Sequence, residues 1–151
     1  MNSLKIYLCG PINGCTDEEA NGWRQIATDH LLYLKGNPFG QNRENPNMVP
    51  VDPMDRDYRG MEAGVYREIV DLDKLDIRNS DALLVYYEKP SVGTSMEVFY
   101  AWTLGKPIIV LTPRKTKISP WLRYHSTKIV EYYAGELREA INEAVEWMRT
   151  I

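Results

Sequence analysis

The chain has 151 residues, 44% of them hydrophobic and 26% charged, which suits one domain that removes about two-thirds of its surface from water on folding. No apolar run approaches the roughly 18 residues of a membrane span. With 18 basic against 21 acidic residues and a net charge of −3, the chain lacks the footprint of a protein that wraps a nucleic-acid polymer, although one local pocket can still attract a small anion.

Cys9 and Cys15 are the two cysteines, and their spacing fits neither a CxxC redox pair nor a zinc ligand set. The first residues lack the apolar stretch of about 7 to 15 residues that marks a signal peptide. A reducing, cytoplasmic setting is the expectation.

Leu4 to Cys9 is short, rich in strand formers and stopped by Gly10-Pro11, so it predicts a first strand. Thr16-x-x-Glu19 is a capping box. Behind it, Ala20, Trp23, Ala27, Leu31 and Leu34 recur at helical spacing, predicting a helix from Asp17 to Lys35 that stops at Gly36. Asn37 to Gly60 is rich in proline, asparagine and glycine, and holds one brief strand at Met48 to Val51 within a loop of the kind that forms lids or binding sites. A second helix is expected over Glu62 to Asn79, with Val65, Ile69 and Leu72 as its buried stripe.

Asp81 to Tyr87 is a nearly continuous apolar run, as in a central parallel strand covered on both faces. Gly93-Thr94-Ser95-Met96-Glu97 opens a third helix that ends near Gly105, and Lys106 to Thr112 forms the next strand. A loop carrying Arg114-Lys115-Thr116-Lys117 leads to a short strand at Lys128 to Glu131. Leu137, Ala140, Ile141, Ala144, Val145 and Met148 stripe the last helix. This alternation predicts a single α/β domain over residues 1–151, with a parallel sheet and helices on both faces. Ligands in such sheets bind beyond the carboxyl ends of the strands. That directs attention to the Gly10-Pro11-Ile12-Asn13 loop, the Tyr87 to Glu97 loop and the loop after Thr112.

The nucleotide fingerprints GxGxxG and GxxxxGK[ST] are absent, as are GxSxG and HExxH. His30, inside the first helix, reads as a packing or surface residue, and His125 as a loop residue within reach of a ligand. Glu97 carries two readings. It completes a capping box with Thr94, or it is a carboxylate in a first helical turn, kept ionised by backbone amides and available as a nucleophile. Asp73, Asp76 and Asp81 form a solvated acidic face, or Asp73 reaches over the strand ends, where like charge and burial raise its pKa and let it deliver a proton. Two carboxylates in those roles are what cleavage of a glycosidic bond requires. Tyr7 is a sheet residue or the donor that orients Glu97. Phe39, Tyr58 and Trp102 are candidate stacking residues.

Three blocks carry a resemblance: Lys5-Ile6-Tyr7-Leu8-Cys9-Gly10-Pro11-Ile12; Asp73 through Ser80-Asp81-Ala82; and Ser91-Val92-Gly93-Thr94-Ser95-Met96-Glu97, followed by Ala101 and Gly105-Lys106-Pro107-Ile108. In this order they resemble the nucleoside 2-deoxyribosyltransferase family, including its relatives that hydrolyse deoxynucleoside 5′-monophosphates. The resemblance implies a flavodoxin-like, doubly wound sheet of about five strands. It implies Glu97 as a nucleophile attacking C1′ of the sugar, Asp73 handling the proton on the base and Tyr7 positioning Glu97. Gly10, Ile12, Asn13, Ser91 and Gly93 then contact substrate. A neighbouring subunit of a homodimer or larger homo-oligomer completes the pocket through the loop near Ser119. No metal or organic cofactor is implied; the partner is a small nucleotide or nucleoside.

Family members that take free nucleosides have an aspartate where this chain has Ser91, and those that take monophosphates have serine with a glycine two residues on. Ser91 and Gly93 therefore point to a 5′-monophosphate, to which the basic run at Arg114 to Lys117 would add positive charge. Asn13 departs from the pattern, standing where the monophosphate hydrolases tend to carry an arginine. The expected activity is an N-glycosidase acting on (2′-deoxy)nucleoside 5′-monophosphates. The alternatives are a transferase exchanging bases between deoxynucleosides and a binding module in which Glu97 is only a cap.

Overall fold

The computed structural model describes residues 3–36 and 47–151. In chain order the elements are β1 (Ser3–Cys9), α1 (Asp17–Gly36), β2 (Asn47–Val51), a 3-10 turn (Pro53–Asp55), α2 (Glu62–Arg78), β3 (Ala82–Tyr86), α3 (Val92–Thr103), β4 (Ile108–Pro113), α4 (Pro120–His125), β5 (Lys128–Tyr132) and α5 (Leu137–Met148). Among the described residues five strands pair, all parallel, in the order β2-β1-β3-β4-β5. This is the expected flavodoxin-like arrangement.

The capping box of α1 forms as the sequence predicts: Glu19 N donates to Thr16 Oγ1 and Thr16 N donates to Glu19 Oε1, both at 3.2 Å. Ala20, Trp23, Ala27 and Leu31 are buried below it. One sheet face packs Ile6, Leu8, Leu84 and Ile109 against α1 and against the stripe Ala140, Ile141, Ala144, Val145 and Met148 of α5. The opposite face packs Tyr7, Cys9, Leu83, Val85 and Val110 against Ile77 of α2 and against Val98 and Ala101 of α3. β2 holds Pro50 opposite Ile6, which an edge strand tolerates because a residue without an N–H interrupts no ladder on the open side. Gly105, at φ 70°, ends α3 in the left-handed conformation that leads into β4.

Three expectations change. α2 rests chiefly on α3 rather than on the sheet, so Val65, Ile69 and Leu72 are only half-buried and Ile77 is its buried residue. Its first turn also departs from helical geometry at Val65 (φ −126°, ψ 21°). The loop after Thr112 contains α4, which starts at Ser119-Pro120: the Ser119 hydroxyl accepts from Trp121 N at 3.2 Å, and Pro120 occupies the first turn, where its missing N–H costs nothing. His125 thus ends α4 instead of standing in a loop. Its Nδ1 lies 2.6 Å from Trp121 O, and its ring is packed among Phe99, Trp102, Trp121 and Tyr124. His30, half-buried on α1, fits its expected packing or surface role.

Because Ile141 is fully buried in the α5 seam, Ile141→Ala is expected to lower unfolding free energy by about 2–5 kcal/mol. Urea unfolding followed by circular dichroism measures this, and a change below about 1 kcal/mol would place α5 outside the cooperative core.

Candidate active site

Strand order reverses between β1 and β3, so the carboxyl ends of these strands and the start of α3 open a crevice at that point. Side chains of β1 alternate across the sheet. Ile6 and Leu8 enter the α1/α5 layer, whereas Tyr7 and Cys9 enter the layer of α2 and α3 that holds the crevice.

The N-cap of α3 is Ser91, whose hydroxyl accepts from Thr94 N at 3.3 Å. Glu97 therefore stands in the second turn and caps nothing, contrary to the capping-box expectation. Its Oε2 instead accepts from the Cys9 thiol at 3.1 Å. Glu97 and Asp73 line one pocket with Gly10, Ile12, Asn13, Ser91 and Gly93, joined by Pro53, Arg56, Tyr58, Arg59, Glu62, Ile69 and Thr94. Seven of the nine candidate site residues thus meet there. Tyr7 lies fully buried behind them. Its hydroxyl makes no hydrogen bond of ordinary geometry, yet it faces the Glu97 carboxyl closely enough to help hold that carboxyl's proton affinity down, as the expected orienting donor would. Ser119 lines a separate cavity with Tyr87, Ser95, Met96 and Trp121, and so does not meet Glu97 within one chain.

Both carboxyls hold protons more firmly than usual. Burial, followed by the like charge of Asp73, pushes Glu97 up to about 7, opposed by the Cys9 thiol, Arg24 and Tyr7. Burial raises Asp73 to about 6, with Arg56 opposing and Asp76 adding to the rise. The expectation that helix amides keep Glu97 ionised does not hold, because Ser91 places it beyond the first turn. Between about pH 6 and 7 the pair holds about one proton, and because Glu97 binds it more firmly than Asp73, the form with Glu97 ionised and Asp73 protonated is the less populated one. Burial and the nearby Glu97 also push the Tyr7 phenol and the Cys9 thiol up, leaving each a neutral donor.

Arg24, 1% exposed, holds the crevice rim. Its Nη1 donates to Ala20 O at 2.5 Å and Pro11 O at 3.5 Å, and its Nη2 donates to Gly10 O at 2.9 Å and Leu8 O at 3.5 Å. Its Nε lies 3.5 Å from Asp52 Oδ1 in an ion pair. Gly10 itself lets the loop pack on Trp23, since an added Cβ would sit 2.7 Å from Trp23 Cζ2.

The sequence reasoning missed Cys9, Arg24, Arg56 and Arg59. Cys9 had a signal, since two residues after Tyr7 it must share that residue's face. Arg24 had one too: it follows Ala20 by one helical turn and is a charge on the apolar side of α1. Arg56 and Arg59 sit in a loop without periodicity. The positive charge expected from the run Arg114 to Lys117 does not reach the pocket, whose cations are Arg56 and Arg59. Arg114 lies over the Tyr133 ring instead, 4.5 Å from its centre. Of the stacking candidates, Tyr58 lines the pocket, Trp102 packs against Tyr124 and His125, and Phe39 lies outside the described residues.

The sequence profile of nucleoside 2-deoxyribosyltransferases matches residues 6–144. The chain belongs to the nucleoside 2-deoxyribosyltransferase family. Solved structures agree with this family in fold. A 2-deoxyribosyltransferase from Bacillus psychrosaccharolyticus superposes with a TM-score of 0.63 at 16% identity, over 93% of this chain and 90% of that one. The CMP N-glycosidase BcmB of Clostridium botulinum gives 0.54 at 17% identity, over 95% and 97%. A conserved protein of Enterococcus faecalis V583 gives 0.63 at 14% identity, over 94% and 99%. No curated protein matches the sequence. The family and its relatives are transferases and N-glycosidases, enzymes of sugar–base bonds. Among the described residues no helix is long and apolar enough to cross a membrane.

In this family member Glu97 carries a pH-dependent stability cost. Its proton is held more tightly in the folded chain, at about 7, than at its ordinary 4.5, so stability falls as pH rises from about 4.5 to about 7 and stays reduced above. Glu97→Gln is expected to raise Tm by a few degrees at pH 8.5 and to leave it nearly unchanged at pH 4.5. Calorimetry at both pH values reads this, and equal effects at the two would contradict a buried, reluctant carboxylate.

Proposed function

We propose that this protein hydrolyses the N-glycosidic bond of a (2′-deoxy)nucleoside 5′-monophosphate through a covalent glycosyl-Glu97 intermediate. The supporting observation is the pocket that puts Glu97 and Asp73, two carboxyls with raised proton affinity, beside Ser91 and Gly93 at the start of α3. Ionised Glu97 attacks C1′ as the C1′–N bond breaks. The bonding pair leaves with the base, which takes the Asp73 proton. Asp73, now a carboxylate, then accepts a proton from water as the water oxygen attacks C1′ and releases Glu97. Cys9 holds one Glu97 oxygen in place, and the buried Tyr7 hydroxyl has its hydrogen-bonding capacity free for that carboxylate.

Phosphate recognition is supported by the absence of acidic residues from the first turn of α3, whose Val92 and Gly93 amides lack intrahelical acceptors. The Ser91 hydroxyl, an acceptor from Thr94 N, can still donate. The alternative, base exchange between free deoxynucleosides, draws support from the pairing of the two pocket arginines: Arg56 faces Asp73 and Asp76, and Arg59 faces Asp17 and Asp57. That pairing leaves less positive charge for a phosphate. A binding module with Glu97 as a cap draws no support from α3, where Ser91 is the cap.

The same proposal treats residues 1–151 as one domain acting as a homo-oligomer in the cytoplasm, the last in keeping with two unpaired cysteines. Val92 and Met96 on α3 and Trp121 and Tyr124 on α4 are 78%, 69%, 73% and 73% exposed. A second copy covering this apolar face would bring its own Ser119 region toward the pocket edge. Trp121→Glu is expected to yield monomers by light scattering and to lower turnover.

The test is free-base release from deoxy- and ribonucleoside 5′-monophosphates and the matching nucleosides, with and without a second base. Release from monophosphates without an acceptor, reduced at least about a thousandfold in Glu97→Ala, is the expected result. The pH profile should be bell-shaped with its maximum between about 6 and 7: the nucleophile is protonated below, and the acid is lost above. Exchange confined to free nucleosides would establish the transferase instead.

A further inference from the structure

Asp73 is gripped from outside the pair. Arg56 Nη2 lies 2.6 Å from Asp76 Oδ2 and 3.4 Å from Asp73 Oδ1. The two aspartates are one helical turn apart on α2, so a single guanidinium reaches both. Arg56 is itself fixed by backbone. It closes the 3-10 turn, its N–H donating to Pro53 O at 3.1 Å. Asp52 caps that turn by accepting from Met54 N at 2.9 Å, and Asp52 pairs with buried Arg24. A chain of polar contacts thus runs from the β1 loop to Asp73.

The other charged or titratable groups about Asp73 are Asp76 on its own helix, Glu97 on α3, Tyr7 and Cys9 on β1, Arg24 on α1, and Arg59 and Glu62 on the shared pocket wall. The neighbouring Lys74, which shares an apolar cavity with Asp73 and Glu97, holds its ammonium 5.3 Å from the centre of the Tyr100 ring. Of the cations, Arg56 makes the hydrogen bond to Asp73.

We infer that Arg56 is a positioning residue for the reaction proposed above: by dividing its guanidinium between Asp73 and Asp76, it fixes the Asp73 carboxyl at the pocket wall. The inference rests on the role assigned to Asp73 as proton donor and acceptor. Such a group must yield its proton to the leaving base and then recover one from water, so an acid that is too weak stalls the first step. Burial and Asp76 both push Asp73 toward holding the proton, and Arg56 opposes them. Asp76 acts twice, as a like charge and as a competitor for the guanidinium.

These relations give two substitutions of opposite sign. Arg56 is partly exposed, so its replacement leaves the core intact. Carbon-13 NMR titration of the carboxyls, with the Asp73 signal assigned by Asp73→Asn, reads the midpoint directly and requires no turnover. Arg56→Gln should raise the Asp73 midpoint by about one pH unit and move the optimum of the kcat/KM profile upward. Asp76→Asn should move both downward. Arg56→Lys keeps the charge without the planar fork and should restore the wild-type values in part. Unmoved midpoints, or shifts of the same sign in the two variants, overturn the role of Arg56. Failure of the wild-type protein to release base from any substrate overturns the glycosidase reading, whatever the titrations give.

Discussion

The pocket depends on one buried cation. Arg24 rises from α1 into the space where β1 ends, and its guanidinium reaches four carbonyls, of the end of β1, the β1–α1 connection and the first turn of α1. Such groups have no other source of donors once water is excluded. Without Arg24, Gly10 and Pro11 would carry orphaned acceptors beside Trp23. Its ion pair with Asp52 ties that connection to the segment after β2, so two loops far apart in sequence form one wall. A neutral side chain of the same size could fill the volume, but it could not join these loops.

From that wall the chemistry follows by geometry. The alternation of β1 sends Tyr7 and Cys9 into the layer that also receives Glu97 from α3. A carboxyl placed among a phenol, a thiol and apolar side chains has few groups to solvate its charge, and a second carboxyl on α2 faces the same cavity. Keeping both ionised in so little water is costly, so the pair retains a proton near neutral pH. The structure thereby readies an acid and a nucleophile without any group having unusual intrinsic reactivity.

Much of this was legible in the sequence. Period-two and period-3.6 patterns placed the strands and the long helices, because each buries one face against a layer that tolerates only apolar side chains. The resemblance in three blocks brought Asp73, Ser91, Gly93 and Glu97 to one site, and the structure puts them on one pocket. The failures share a cause. The capping role of Glu97 was inferred from spacing, yet Ser91 three residues before Thr94 offered the same spacing and began the helix. α4 is too short for periodicity to mark, and only its Ser-Pro start signals it. Arg56 acts through a loop whose path is set by Asp52 and Arg24, a constraint spread over three segments that no local pattern can express.

Pro50 bears on how copies of the chain can meet. Parallel sheets end in edges whose free backbone groups invite another strand, and open growth in that direction leads to fibres rather than closed assemblies. At the β2 edge Pro50, the fourth of the strand's five residues, withholds a donor, so an added strand would find its ladder broken there. Lateral zippering is therefore disfavoured at that margin, which favours the helical faces over the β2 edge as the surface on which a finite, symmetric particle is built.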